Sequence, residues 1–278
     1  MPLLAGGGAI ALWSFLALLS RAAAAMPPLQ LAAMGFTVSA ALGVGIVAAR
    51  GRLAALRQRP LVWAHGVGGL FGYHALYFAA LAWAPAAQAN LLNYTWPLLT
   101  VLFAGLLLRM RLRPAHGLGV ALALVGCAVL LSGSEGAVSA AAAPGYALAL
   151  GAGVTWALYS VLARRLGAVP TEAVAGFCAA AAVLAAGSHF AFEPTIRPDG
   201  AAWLAALALG VGPMGAAFFL WDIGMKRGDP RLLGTLAYAT PVVSTLLLGA
   251  AGFTPLTPRL LIAAVLVAAG GFVTVRVR

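Results

Sequence analysis

Tyr73, His74 and Tyr77, then Asn90, Tyr94 and Trp96, then Trp156 and Tyr159 are the residues of this chain whose types and spacing could hold a small amphipathic molecule. Tyr73 and Tyr77 are one helical turn apart and share a face, with His74 beside them. Asn90 and Tyr94 repeat that spacing, and Trp156 and Tyr159 lie three residues apart. Rings so arranged could stack on an aromatic side chain or sit beneath a cationic amino group. The amides and hydroxyls would orient a carboxylate. Trp96 is set apart, because two residues on from Tyr94 it faces elsewhere on an undistorted helix. A neutral, hydrogen-bonded ring is the plainest reading of His74. An ionisable group inside an apolar run is also a functional candidate by default, as a carboxylate contact or a proton carrier, and substrate contact is favoured over proton relay.

These residues sit in a chain that cannot be soluble. Of its 278 residues 63% are hydrophobic and 8% charged, too little polar surface to cover a globule. Apolar runs of the length needed to cross a bilayer, ~20 residues, recur throughout. They place membrane-spanning helices at 3–20, 29–49, 62–82, 86–108, 115–132, 146–166, 171–192, 201–225, 232–252 and 259–274. The Tyr73–Tyr77 cluster then lies about 15–22 Å into its helix at the usual rise per residue, near mid-membrane. The net charge of +11 follows topology rather than nucleic acid binding. All cations except Arg21, Arg197 and Arg259 fall after even-numbered helices, which makes both termini cytoplasmic in a multi-pass protein of a bacterial inner membrane.

The chain also reads itself twice. Asn93-Tyr94-Thr95-Trp96-Pro97 is answered by Ala237-Tyr238-Ala239-Thr240-Pro241, Gly8 to Trp13 by Gly151 to Trp156, and Arg21 by Arg164. The expected architecture is all-α and integral to the membrane, one domain over 1–278 with ten transmembrane helices as two five-helix repeats, approximately 1–138 and 139–278. An odd number of helices per repeat inverts the second relative to the first, the arrangement that lets a central site face alternate sides. Pro97 and Pro241 occupy matching places and are expected to act as paired hinges.

Other features read as structure. The first apolar run ends near Ala22 to Ala25 like a signal peptide, but it lacks an upstream cation, and the pairing of Trp13 with Trp156 ties it to the bundle. Cys127 and Cys178 have neither metal-ligand nor disulfide spacing. Asp222 stands four residues before Lys226, an ion-pair spacing, and Glu135, Glu172, Glu193, Asp199 and Asp229 read as loop residues. Glycines at 66, 68, 69 and 72 recur as Gly210, Gly212 and Gly215, which suits close helix packing. Gly210 to Gly215 matches a dinucleotide fingerprint, but no strand precedes it. His65, His74, His116 and His189 are scattered, so an intramembrane enzyme finds no support, and no cofactor, metal or protein partner is implied.

The block Trp156 to Arg165, with Trp221-Asp222 and Tyr238-Ala239-Thr240-Pro241, resembles the ten-helix, EamA-type carriers of the drug/metabolite transporter superfamily. Tyr73, His74, Tyr77, Tyr94, Trp96 and Trp156 resemble the central pocket of its bacterial aromatic amino acid exporters. The resemblance implies export of amino acids by alternating access, with small-molecule substrate and membrane lipid as the only partners. Without a mid-span carboxylate, facilitated diffusion is the leading driving force. Efflux of lipophilic cations is the alternative use of the same cage, and a non-transporting scaffold a more distant one.

Overall fold

A computed structural model describes residues 1–132, 140–253 and 255–276, and among these every regular element is helical. The expected repeat boundary at 138/139, Glu135 and Arg278 lie outside the described residues. The helical runs are α1 (Pro2–Ala22), α2 (Pro28–Ala49), α3 (60–83), α4 (Ala86–Asn93 and Trp96–Leu108) and α5 (Pro114–Leu131). There follow α6 (Ala143–Arg165), α7 (Ala173–Phe192), α8 (Gly200–Arg227), α9 (Pro230–Leu236 and Ala239–Ala250) and α10 (Pro258–Val275). Each expected span falls on one of these runs. By length and composition, 8 runs among the described residues can cross a membrane, and Pro114–Val129 is a shorter apolar helix.

Proline explains many of the starts. Pro2, Pro28, Pro60, Pro114, Pro230 and Pro258 open their helices, where a missing N–H costs nothing and the fixed φ already suits the helix. Proline also breaks two helices internally. Pro97 and Pro241 cannot donate to the preceding turn, so α4 is interrupted at Tyr94-Thr95 and α9 at Ala237-Tyr238, each just upstream of its proline. A second pair of irregularities keeps the same spacing: a π-helical turn at Gly68–Gly72 in α3 and another at Gly212–Ala216 in α8. Single π turns commonly re-aim the side chains beside them.

Small residues bring helices into close contact, as membrane packing favours. A methyl group on Gly119 would stand 2.6 Å from the Gly270 carbonyl, which places α5 directly on α10. One on Gly210 would stand 2.6 Å from the Gly35 carbonyl, so the former dinucleotide look-alike is a contact between α8 and α2. Gly66 and Gly69 serve the same end against Phe177 and Tyr159, whereas Gly68 and Gly72 face open space. Cys127 and Cys178 are buried free thiols. The largest buried cluster joins Phe36, Leu70, Trp96, Trp156, Phe218 and Trp221 at the centre of the bundle.

Candidate functional site

The π turn of α3 ends at Gly72, and the next residues face inward together. Tyr73 and Tyr77 stack with planes 2° apart and centroids 6.0 Å apart. His74 Nδ1–H donates to the Leu70 carbonyl at 2.7 Å, which leaves Nε2 of the neutral ring as an acceptor. Two amides of α4 meet these tyrosines: Tyr77 Oη donates to Asn90 Oδ1, and Asn93 Nδ2 donates to Tyr73 Oη at 3.1 Å. The α3–α4 wall is thus laced by tyrosine–asparagine hydrogen bonds.

Tryptophans close one end of the space beside this wall. Trp13 of α1, Trp96 of α4, Trp156 of α6 and Trp221 of α8 meet mostly edge to face, with centroids 5.0–6.4 Å apart. Each such pair adds about 0.5–1.5 kcal/mol beyond burial, so the layer is a rigid floor. Trp13 Nε1 donates to the Pro213 carbonyl at 3.0 Å and Trp221 Nε1 to Ser160 Oγ at 2.9 Å, so neither polar tip is wasted. The break at Tyr94-Thr95 explains Trp96, which an intact helix would turn away. The interruption resets the phase and puts Tyr94 and Trp96 on one cavity.

That cavity encloses about 140 Å³. The expected residues Tyr73, His74, Tyr77, Asn90, Tyr94, Trp96 and Trp156 line it. Tyr159 does not. It lies beneath Trp156, stacks on His65 at 5.0 Å, and faces a small separate void with Asp222 and Lys226. Three residues beyond Trp156 it has moved one turn down α6, past the tryptophan floor. Sequence reasoning missed Trp13, Asn93, Met214, Phe218, Thr240 and Ser244, all of which line the cavity. Asn93 carried a usable signal, standing three residues from Asn90 on the same helical face, and Trp13 carried one as the repeat partner of Trp156. Thr240 carried the same kind of signal, as the repeat partner of Trp96, and Met214 carried none.

The polar atoms here are few and informative. Asn93 Oδ1 and Thr240 Oγ1 are buried without a hydrogen-bond partner among the described residues. Orphaned acceptors cost about 1–3 kcal/mol each, a penalty that a ligand donor would relieve. Among the described residues no Asp, Glu, Lys or Arg lines the cavity. Among the described residues no group of three or more His, Cys, Asp or Glu is placed to hold a metal.

Beyond the floor lies the arginine-rich end, which side chains lock. Lys226 Nζ donates to Asp222 Oδ2 and to the Val169 carbonyl, both at 2.8 Å, and Thr171 Oγ1 donates to the same carboxylate at 2.6 Å. The sequence spacing of this ion pair is realised, but both partners are buried, because the loop between α6 and α7 folds over them. Arg164 donates to the Gly228 carbonyl, Arg165 to that of Leu107, and Arg231 to that of Arg111. Asp229 caps α9; burial acts to raise its pKa, but hydrogen bonds from Arg231 outweigh this and hold it below the usual carboxylate value. The opposite end carries a narrower network, in which Glu193 accepts from Leu29 N and Gln30 N at the start of α2 and meets His189 Nδ1 at 3.0 Å. A second, larger cavity of about 720 Å³ lies away from the aromatic cage, between α2 and the latter half of α8.

Comparison with known proteins agrees with this architecture. The chain is 52% identical over 273 residues to the aromatic amino acid exporter YddG of Ancylobacter novellus, covering 97% of this chain and 95% of that one. It is 31% identical to the threonine/homoserine exporter RhtA of Escherichia coli over 69% of this chain and 63% of that one. A solved crystal structure 51% identical to it superposes with a TM-score of 0.94, covering 97% of this chain and 94% of its own. The model of the EamA-like transporter family matches residues 2–132 and 143–276, and the chain belongs to that family, within the drug/metabolite transporter superfamily.

Proposed function

We propose that this protein exports amino acids, aromatic ones above all, across a bacterial inner membrane by alternating access around the aromatic cavity. The observation that carries the reading is the cavity's chemistry: aromatic faces, amides and hydroxyls, with no Asp, Glu, Lys or Arg among the described residues that line it. A zwitterion has no net charge to balance, and burying it needs oriented dipoles rather than a counter-ion. Tyr94, Trp96 and Trp156 would flank its side chain, and Asn93 Oδ1 and Thr240 Oγ1 offer acceptors to its ammonium. A lipophilic cation would favour a buried carboxylate, which the lining lacks. The printed activities of the similar exporters support the same class of substrate.

The cycle rests on ten membrane-spanning helices in two inverted halves, with both termini cytoplasmic. In support, the family model matches two stretches of the chain, and the π turns recur at the same separation as Pro97 and Pro241. The cavity lies on the arginine-poor side of the tryptophan floor, so by the positive-inside rule this structure corresponds to a state sealed toward the cytoplasm. Pro97 and Pro241 serve as the hinges. With no acidic side chain in the cavity, net flux follows the substrate gradient, and substrate-dependent pH change inside vesicles would argue against that.

The test is uptake of labelled phenylalanine, tryptophan and threonine into liposomes, beside a Tyr94→Ala, Trp156→Ala double variant. Saturable flux of the aromatic substrates that the variant loses supports the proposal. Absence of flux for all of them removes the amino acid reading.

A further inference from the structure

The larger cavity lies between helices that part company. Above it α2 and α8 are in close contact, with Gly35 against Gly210. Beyond the π turn at Gly212–Ala216, α8 leaves α2, and the segment Ala217–Arg227 keeps few contacts with it. The gap forms a groove of about 720 Å³ whose walls include Leu42, Ile46, Val211 and Phe219, and whose far end is ringed by cations. Leu42, Ile46 and Val211 are 47%, 52% and 53% exposed, so the groove faces outward into the surrounding bilayer rather than inward to the aromatic cage.

The cations are not equivalent. Lys226 is committed to Asp222, and Arg52 pairs with Glu172 at 2.9 Å. Arg50 and Arg227 line the same end, are exposed, and have no acidic partner among the described residues. From Ser39 to Arg50 along α2 is about 16 Å at the usual helical rise. That matches half of a hydrocarbon core about 30 Å thick. The groove therefore runs from the bilayer midplane to the headgroup level, mostly apolar between α2 and α8, and at its mouth Arg50, Arg52, Lys226 and Arg227 outnumber Glu172 of the adjoining α6–α7 loop.

We infer that this groove is a binding site for one anionic phospholipid, an acyl chain lying between α2 and α8 and the phosphate held by Arg50 and Arg227. Length, apolar lining and charge complementarity all fit that occupant. A soluble anion would leave the apolar channel unfilled, and a zwitterionic lipid would not use the uncompensated charge. The π turn forms the partition, with Pro213 and Met214 on the cage side and Gly215 and Ala216 on the groove side, so the lipid would rest against the same turn that shapes the central cavity. The inference rests on the membrane placement of the chain and not on its substrate.

The test is the lipid that the intact protein retains when purified in mild detergent from membranes containing phosphatidylglycerol and phosphatidylethanolamine, quantified by mass spectrometry. Wild type should retain phosphatidylglycerol in preference. An Arg50→Gln, Arg227→Gln variant should lose that preference by about 25-fold, each cation near a membrane surface contributing about fivefold. Arg57→Gln, an equally exposed arginine outside the groove, should leave it unchanged. Ile46→Trp, which fills the channel and spares both arginines, should release the lipid as well. No preference in wild type, an equal fall in Arg57→Gln, or lipid retained by Ile46→Trp would each overturn the assignment.

Discussion

The entry segments of α4 and α9 each lead into a helix interrupted ahead of a proline, and they are packed differently. Ala86–Asn93 follows Pro85, which has no side chain to cap it, and its Asn90 and Asn93 look into the cavity. Pro230–Leu236 follows Asp229, whose carboxylate accepts from Arg231 N at 2.9 Å, and Leu232, Leu233, Gly234 and Thr235 are all buried. Gly234, which stands where α4 has Asn90, lies so tightly on α4 that a methyl group there would be 3.0 Å from the Pro97 carbonyl. One copy forms a cavity wall and the other forms a seal. In an inverted pair those roles sit at opposite ends of the bundle, and exchanging them is what alternating access requires.

The chemistry differs as well. Tyr73, His74 and Tyr77 in α3 are answered in α8 by Ala217, Phe218 and Trp221, while both helices keep the π turn. The backbone device is common to α3 and α8, while α3 carries the polar tips and α8 the apolar face. The substrate contacts can therefore be damaged in one half without touching the seal in the other.

The largest effect is expected from Asn93→Leu, which removes a cavity acceptor and the donor to Tyr73. Uptake should fall by about tenfold or more, the scale of a lost hydrogen bond to a charged group. Thermal stability should change little, since the loss of the orphaned Asn93 Oδ1 offsets the loss of the donor to Tyr73 Oη. Parallel loss of both would make Asn93 a packing residue. Next is Gly234→Val, which wedges the seal apart. Overpacking costs typically about 1–3 kcal/mol, and cysteine accessibility at the arginine-rich end should rise while equilibrium binding of tryptophan changes little. An unchanged accessibility pattern would deny Gly234 its sealing role.

The hinge comparison comes third. Pro97→Ala and Pro241→Ala should each slow transport severalfold with little change in affinity, and full activity in both would reduce the prolines to static kinks. The smallest effect is expected from Asp229→Ala, about 1 kcal/mol for a lost cap. Because the folded-state pKa of Asp229 is depressed, its contribution is present at neutral pH and lost as pH falls through that lowered value. The stability gap between wild type and variant should accordingly close on acidification. A gap independent of pH would show that the charge contributes nothing.

Much of this was legible in the chain because the bilayer is a strict solvent. It demands long apolar helices and puts cations at one end, so a span over 29–49 followed by Arg50 is readable in the chain, and the helix runs over Pro28–Ala49. The aromatic set was legible for the same reason, since Tyr73 and Tyr77 have no business at mid-membrane unless something wet or aromatic meets them. The spacing groups Tyr159 with Trp156, but Tyr159 lies one turn beyond the cavity, because three-residue spacing looks like a shared face and also descends the helix. Asp222 and Lys226 were readable as a pair by spacing but not as buried, because the loop covering them is distant in sequence.

By itself the sequence determined the helices, their duplicated order and the stock of rings and amides, all of which follow from local periodicity and solvent. Pro97 marks the break in α4, but only the tertiary structure decided that Trp96 turns onto the cavity, that Trp13 completes the floor, and that Asn93 Oδ1 and Thr240 Oγ1 are left without a partner among the described residues. Those outcomes depend on where distant helices meet. No local pattern encodes that meeting, because the hydrogen bonds a buried group finds are set by its neighbours in space.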